Sequence, residues 1–115
     1  MIYFIESEHY IYIGHTNQKL RKRIDGHKRR CKDFINERKL GKGKKIKITK
    51  SIIPILEGKW KAYIYDNDGD LKSEQNYIKN LVTFKSVVNR YDFLILLQQI
   101  IKPDFNAKEH PSHIS

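Results

Sequence analysis

Residues 1–16, MIYFIESEHYIYIGHT, decide the fold of the chain, because two apolar segments there flank a short polar stretch. Segments 2–5 and 10–13 are rich in β-branched and aromatic residues, which favour extended strands. The polar residues between them fit a tight turn, so the pattern predicts a β-hairpin. A hairpin needs apolar side chains on one face, but it does not need the tyrosines that both strands carry, Tyr3 and Tyr12. Their presence in both strands indicates a second role.

The elements that follow the hairpin predict an α+β fold. Gly14 is expected to end the second strand, and a helix is predicted over 18–34, with apolar residues at helical spacing on one face. The remaining pattern predicts a short helix over 50–56, a strand over 60–65, and helices over 71–81 and 92–102, with Pro103 stopping the last helix. We therefore expect a single domain over 1–102, with a basic insert at about 38–59, followed by a C-terminal tail over 103–115.

The composition of the chain points to a polyanionic partner. The 115 residues include 23 Lys and Arg against 13 Asp and Glu, which gives a formal charge of +10. A folded surface with this charge attracts nucleic acid, and an anionic membrane is the second candidate. The longest apolar run, residues 93–97, is far shorter than the roughly 20 residues that span a bilayer, and no secretory leader is recognisable. We therefore expect an intracellular, cytoplasmic protein that is neither secreted nor bound to a membrane.

Three polar or charged residues fall on the apolar faces of their predicted helices. His27 projects from the apolar side of the first helix, and Arg23 lies one turn earlier on the same side. Glu74 shares a face with Ile78 and Leu81 in a later helix, where a carboxylate without a partner costs several kcal/mol. A cationic side chain such as Arg23, or a bound metal ion, is therefore expected beside Glu74.

Each of these residues also has a purely structural explanation. An inward histidine is often a hydrogen-bonded core residue, strand tyrosines often pack, and an arginine can lay its stem along an apolar stripe. Glu74 can form a structural ion pair with Arg23 or favour the start of its helix. Their combination in one basic domain indicates chemistry, because Tyr, Arg, His and Glu together can activate a water, neutralise a phosphodiester and hold a divalent cation.

The order of these residues resembles the GIY-YIG nuclease family. Tyr3 matches the tyrosine of the family's first triplet, although Met1 stands in place of the first triplet's glycine. The second triplet is matched in full by Tyr12-Ile13-Gly14. Arg23 and His27 stand four apart in the helix that follows, as the arginine and histidine of the family do.

The resemblance extends into the later part of the chain. Glu74, in the stretch SEQNYIKNL, looks like the family's metal-binding glutamate, and Asn89, in VVNRY, looks like its late asparagine. The match covers about residues 1 to 90, but residues 38–59 match nothing in the family's pattern. The short triplets alone are weak motifs, whereas the ordered set is much more specific.

The resemblance implies a three-stranded antiparallel sheet flanked by helices and the activity of a metal-dependent DNA endonuclease, of a phage, mobile-element or restriction-like kind. Arg23 would contact the phosphate, and a phenol, by preference that of Tyr3, would take the proton of the attacking water, with His27 as the alternative base. Glu74 would bind Mg²⁺ or Mn²⁺. The implied catalytic residues are Tyr3, Tyr12, Arg23, His27 and Glu74, supported by Gly14, His15 and Asn89.

The remaining basic residues predict sequence-independent contacts with a nucleic-acid backbone. They lie in the first helix and in the insert, at Arg21, Lys22, Lys28, Arg29, Lys42, Lys44 and Lys45. These charges suit RNA as well as DNA, and we expect a monomer or a homodimer. Two other interpretations stay open: a nucleic-acid-binding protein that keeps the fold without the activity, and a basic structural protein unrelated to the family.

Overall fold

The computed structural model describes the backbone of residues 1–40 and 49–109, and the side chains of residues 1–36 and 49–101. Within these ranges four strands form one sheet: β1 (Ile2–Glu6), β2 (Tyr10–His15), β3 (Lys61–Asp66) and β4 (Ser86–Val87). The helices are α1 (Leu20–Leu40), α2 (Ile52–Glu57), α3 (Leu71–Asn80) and α4 (Phe93–Glu109), with a 3-10 turn at Val88–Arg90. The chain therefore has the predicted α+β class.

The sheet has four strands in the order β3-β1-β2-β4 and is mixed, so the expected three-stranded antiparallel sheet is only part of it. β1 is central and runs antiparallel to both β2 and β3. β4 adds a parallel strand, in which Ser86 and Val87 pair with Tyr10 and Ile11. Two residues are too few to show a periodicity of their own, so the sequence pattern did not predict this strand.

The second strand does not end at Gly14, as the sequence predicted, but continues to His15. Gly14 pairs with Tyr3 and His15 pairs with Ile2, so the hairpin is longer than its apolar residues indicate. Glycine usually weakens a strand, but here the missing side chain of Gly14 leaves room for the ring of Tyr3 on β1. The close approach of that ring keeps Gly14 within the sheet.

Two helices, α1 and α4, continue beyond their predicted ends. α1 continues past the predicted end at 34 to Leu40, so the first residues assigned to the basic insert are helical. Pro54 falls in the first turn of α2, where its missing N–H is not needed. α4 extends through Pro103 to Glu109, so Pro103 does not stop it and residues 103–109 are not a loose tail. A proline inside a helix removes one backbone hydrogen bond, which a helix with other contacts can tolerate.

The core lies on both faces of the sheet, because β1 sends alternate side chains to opposite sides. Ile2 and Phe4 pack beneath α3, in a cluster completed by residues of β2, β3 and β4. Tyr3 and Ile5 point the other way and pack against Ile24 of α1. Within residues 1–40 and 49–109, no helix is long and apolar enough to cross a membrane. The face of β1 that points to α1 is the one that carries the candidate site.

Candidate active site

Tyr3 is the centre of the candidate site. Its side chain is fully buried between the sheet and α1. Its hydroxyl lies 2.7 Å from Nε2 of His27, and the Nε–H of Arg23 donates to the same oxygen over 3.3 Å. Arg23 and His27 reach Tyr3 together because residues four apart on a helix share one face. The structure thus brings three of the residues predicted for the site into one hydrogen-bonded group.

Gly14 gives Tyr3 its place in the sheet. A Cβ atom built on Gly14 would lie 2.3 Å from Cζ and 2.5 Å from the hydroxyl oxygen of Tyr3. Real contacts are never that short, so the tyrosine ring fills the volume that a side chain at position 14 would need. The supporting role predicted for Gly14 therefore has a steric cause, which is the close approach of an aromatic ring to bare backbone.

Tyr12 lies beside this group, one strand away. It is diagonal to Tyr3 in the register, and the centroids of the two rings are 6.2 Å apart. Its ring also meets that of His27 edge-on at 5.6 Å. Tyr12 is half-buried, whereas Tyr3 has no exposed surface. Burial raises the pKa of both phenols, and Arg23 opposes the rise by stabilising the phenolates.

His27 is 1% exposed and both of its ring nitrogens are occupied. Nε2 faces Tyr3, and Nδ1 lies 2.6 Å from the hydroxyl of Ser51, which is 0% exposed. A further 2.6 Å contact joins Ser51 to the hydroxyl of Thr49. Burial, together with the positive charges of Arg23 and Arg30, lowers the pKa of His27 to about 4, so the imidazole is neutral at neutral pH.

Glu74 approaches the same group from α3. It is half-buried, and its negative charge raises the pKa of both Tyr3 and Tyr12. In the part of the chain that the structure describes, no cation lies within 4.0 Å of its carboxylate, so the ion pair with Arg23 that was the structural explanation of Glu74 is not formed. Arg23 is hydrogen-bonded to Tyr3 instead.

The acidic groups near the site fit only a metal ion that is held by a single carboxylate. Among the described side chains, no three His, Cys, Asp or Glu residues are grouped so that they could hold an ion by themselves. Mg²⁺ often binds through one carboxylate, with waters and substrate phosphates completing its octahedron. Glu74, half-buried and without a cationic partner in the described region, fits such a one-carboxylate site. It does not fit a site that the protein closes alone.

Asn89 supports the site through the backbone of β2. Its side-chain oxygen accepts from the N–H of Ile13, and its side-chain nitrogen donates to the carbonyl of Ile13, each over 3.0 Å. The amide therefore pairs with Ile13 as a neighbouring strand would. Because Ile13 lies between Tyr12 and Gly14, this clamp fixes the segment that positions both.

The other predicted residues lie at the periphery. His15 is half-buried at the end of β2, directly after Gly14. Four of the predicted nucleic-acid contacts are exposed on α1: Arg21, Lys22, Lys28 and Arg29. The remaining three, Lys42, Lys44 and Lys45, lie outside the described residues.

Ser51 and Thr49 were not among the residues that the sequence predicted for the site. Both lie within the predicted basic insert at 38–59, at the start of the short helix predicted there, where a serine commonly serves as a helix cap. No spacing links them to His27, which lies 24 residues before Ser51. Only the packing of α2 against α1 brings them together.

Comparison of the chain with protein-family models, with curated proteins and with solved structures found no match.

Proposed function

We propose that this chain is a metal-dependent phosphodiester hydrolase that cuts DNA, with a site of the GIY-YIG kind. The observation that carries the proposal is the meeting of Tyr3, Arg23 and His27 in one buried hydrogen-bonded group, with Tyr12 beside it and the charge of Glu74 acting on it. These are the five residues whose order resembles that family. They come from two strands and two helices, so their proximity is not a consequence of sequence neighbourhood.

Arg23 is the residue that would bind the scissile phosphate. Its Nε–H is held by Tyr3, which orients the guanidinium. Within the described residues its two terminal nitrogens make no hydrogen bond, so they remain available for two phosphate oxygens. A fixed fork of donors aimed at oxygens that gain charge in the transition state lowers the barrier more than a mobile lysine would.

The tyrosine pair would accept the proton of the attacking water. The exposed fractions favour Tyr12 as the phenol that meets the water, because Tyr3 is fully buried, whereas the residue order favoured Tyr3. The hydroxyl of Tyr3 interacts with that of Tyr12 and is hydrogen-bonded to His27, so a proton taken at the pair can be passed inward. A phenol needs nearby positive charge to act as a base near neutral pH, and Arg23 supplies it.

Glu74 would hold a divalent cation, Mg²⁺ or Mn²⁺, near the two phenols. When bound, such an ion polarises a non-bridging phosphate oxygen and stabilises the leaving oxygen. The charge of Glu74 by itself raises the pKa of the two phenols, so the carboxylate without a cation works against a phenolate base. This opposition supports a site that functions only when the carboxylate is neutralised.

Cleavage of supercoiled plasmid DNA, with and without Mg²⁺ or Mn²⁺, tests the proposal. We expect Arg23→Ala and Glu74→Gln each to lower the cleavage rate by about a hundredfold or more while DNA binding is retained. Two matched controls should cut at the wild-type rate once the DNA is saturated with protein: Arg21→Ala, an exposed arginine two residues before Arg23 that would contribute to DNA affinity only, and Glu8→Gln, an exposed acid in the hairpin turn.

The outcomes separate the alternatives. Wild-type protein that binds DNA but cuts neither DNA nor RNA with any divalent metal would contradict the hydrolase and favour a binding protein that keeps the fold. Cleavage of RNA alone would retain the chemistry and change the substrate. If Arg21→Ala and Arg23→Ala lowered the cleavage rate equally, Arg23 would contribute only positive charge and would not bind the scissile phosphate specifically.

A further inference from the structure

The buried hydroxyl of Ser51 has no structural task that explains its position. It precedes α2, where a serine normally caps the helix by accepting from a backbone N–H. Here its backbone is helical, with φ −58° and ψ −23°, and the side chain makes no capping hydrogen bond. Its two contacts, each 2.6 Å long, go to Nδ1 of His27 and to the hydroxyl of Thr49.

The hydrogen bonds around Tyr3 fix the direction of this chain of contacts. The buried hydroxyl proton of Tyr3 needs an acceptor, because leaving it unpaired costs about 1–3 kcal/mol. Arg23 can only donate, and the hydrogen-bond interaction with Tyr12 lowers the pKa of Tyr3 and raises that of Tyr12, so Tyr12 also donates to Tyr3. Among the described side chains near the Tyr3 oxygen, Nε2 of His27 is therefore the acceptor. Tyr3 therefore donates to Nε2.

The remaining protons follow from this assignment. His27 is neutral, so if Nε2 accepts, Nδ1 carries the ring proton and donates to Ser51. Ser51, having accepted from His27, donates its own proton to Thr49. Thr49 is half-buried, so this is where the series of hydrogen bonds comes closest to solvent.

We propose that Ser51 is a positioning residue that holds His27 in the Nδ1–H tautomer, and that Tyr3, His27, Ser51 and Thr49 form a one-way proton path leading from the candidate site to the half-buried Thr49. The inference rests on the proposed hydrolase for its use, but the tautomer itself is a property of the folded chain.

The proton path avoids the formation of a buried positive charge on His27 when Tyr3 loses its proton. If Tyr3 gave its proton to an isolated imidazole, the product would be a buried imidazolium next to Arg23, and that charge is strongly disfavoured. With Ser51 in place, the O–H bond of Tyr3 breaks as an N–H bond forms at Nε2, while the Nδ1 proton passes to Ser51, that of Ser51 to Thr49, and that of Thr49 to water. The imidazole ends neutral, in its other tautomer, and the only new charge is the phenolate beside Arg23.

Nitrogen-15 NMR of His27 together with a pH–rate profile tests this assignment. In the wild type we expect an unprotonated Nε2 and a protonated Nδ1 at neutral pH. Ser51→Ala should weaken that preference, because the buried Nδ1–H then loses its acceptor. It should also lower the cleavage rate by about 10- to 100-fold and move the rising limb of the profile to higher pH, because His27 must then become charged. Thr49→Val should keep the tautomer and slow cleavage, because the path then lacks its exit.

Ser7→Ala is the matched control. Ser7 is also buried, at 3% exposure, and its hydroxyl makes a 2.6 Å hydrogen bond, but to Glu57 and far from His27 in the hydrogen-bond network. It should leave the tautomer and the pH profile unchanged. A protonated Nε2 in the wild type, or an unchanged tautomer and profile in Ser51→Ala, would overturn the inference. A wild type with the expected tautomer that cuts no nucleic acid would contradict the hydrolase but support the positioning role of Ser51.

Discussion

The ring of Tyr3 lies over Gly14, its pairing partner on β2, in the space where any other residue would carry a side chain. This contact sets the depth of the tyrosine hydroxyl, and the hydroxyl in turn meets both Arg23 and His27. At the scale of single residues, the candidate site therefore depends on an absent side chain as much as on the polar groups. Gly14 belongs to the site although it has no chemistry of its own.

Gly14→Ala should destabilise the chain by about 1–3 kcal/mol, because the added methyl group overlaps the Tyr3 ring and forces it out of position. Urea denaturation measures the loss, and the ring contacts of Tyr3 in NMR spectra report the displacement. Gly26→Ala is the control: nothing lies within 4 Å of its Cβ position on α1, so this change should stabilise by about 0.5–1 kcal/mol. Equal stability of the two variants would contradict the steric role of Gly14.

The sequence predicted the polar residues of the site better than the connections between them. Arg23 and His27 share a helix face, so their joint approach to the sheet followed from helical spacing. Ser51 could not be predicted, because its contact with His27 depends on how α2 packs against α1 and on no periodicity in either. Of the two partners expected for Glu74, the ion pair with Arg23 is not formed, for a related reason: spacing identifies a face but not which of two acceptors Arg23 binds.

At the scale of elements, Asn89 joins the end of the sheet to the 3-10 turn after β4. Its amide forms two hydrogen bonds with the backbone of Ile13, where the parallel pairing of β4 with β2 has already ended. The side chain of Asn89 thus supplies hydrogen bonds to β2 beyond the end of β4, which is only two residues long. The geometry of β2 beside Tyr12 and Gly14 is maintained by this side chain.

Asn89→Ala should lower the free energy of unfolding by about 1–3 kcal/mol, because it leaves the N–H and carbonyl of Ile13 without partners. Amide hydrogen exchange at Ile13 should become faster in parallel with the loss measured by denaturation. Asn76→Ala, which removes an exposed asparagine on α3, is the control and should change stability by less than about 0.5 kcal/mol. Unchanged exchange at Ile13 in Asn89→Ala would contradict the clamp.

The hairpin turn is tied to α2 by an ion pair that depends on pH. Glu57 accepts hydrogen bonds from Ser7 and from both the backbone and the ring of His9. The pKa of His9 is raised by the hydrogen bond and the charge of Glu57, while the pKa of Glu57, although burial raises it, is lowered on balance by these donors. The stabilising contribution of protonated His9 is therefore complete below about pH 6.5 and is lost as the pH rises through its raised pKa.

Thermal unfolding between about pH 6 and pH 9 should show this loss. His9→Gln removes the titrating group, so the difference in Tm between wild type and variant should shrink as the pH rises. His15→Gln changes a half-buried histidine at the other end of β2 and serves as the control. A difference between wild type and His9→Gln that stays constant over this range would contradict the ion pair.

The differences between predicted and observed elements have one cause each. Within residues 1–40 and 49–109, the apolar pattern located the four α-helices and the three longer strands, because burial on one face imposes a period. It missed β4, which is too short to have a period, and ended β2 early, because the reason for Gly14 is a contact from another strand. Pro103 was predicted to end the last helix, but α4 continues beyond it to Glu109.

At the scale of the whole molecule, positive charge is the dominant property. The formal charge of +10 is concentrated in part on the outer side of α1, where Arg21, Lys22, Lys28 and Arg29 are exposed. α1 packs on the same face of the sheet that carries Tyr3. A polyanion drawn to α1 would therefore arrive on the face of the sheet that carries Tyr3.

Duplex DNA binding should weaken steeply with salt, because each neutralised phosphate releases counterions. Lys28→Gln and Arg29→Gln should each reduce the slope of log K against log salt concentration by about one. Lys79→Gln, an exposed lysine on α3 at the other face of the sheet, should leave the slope close to that of the wild type. Fluorescence anisotropy over a salt series measures the slopes of the wild type and the three variants. An equal reduction of the slope in all three variants would contradict a binding surface on α1.

The central position of β1 has a consequence for synthesis of the chain. Its second neighbour, β3, is made long after β1 itself, since Ile2 pairs with Asp66. At about 5–20 residues per second, a ribosome leaves one edge of the first strand open for several seconds. Glu74 and Asn89 emerge later still, so a nascent chain carries the phenols and the arginine before it has the acid and the clamp. The cluster and its clamp can therefore be assembled only after Asn89 has been translated.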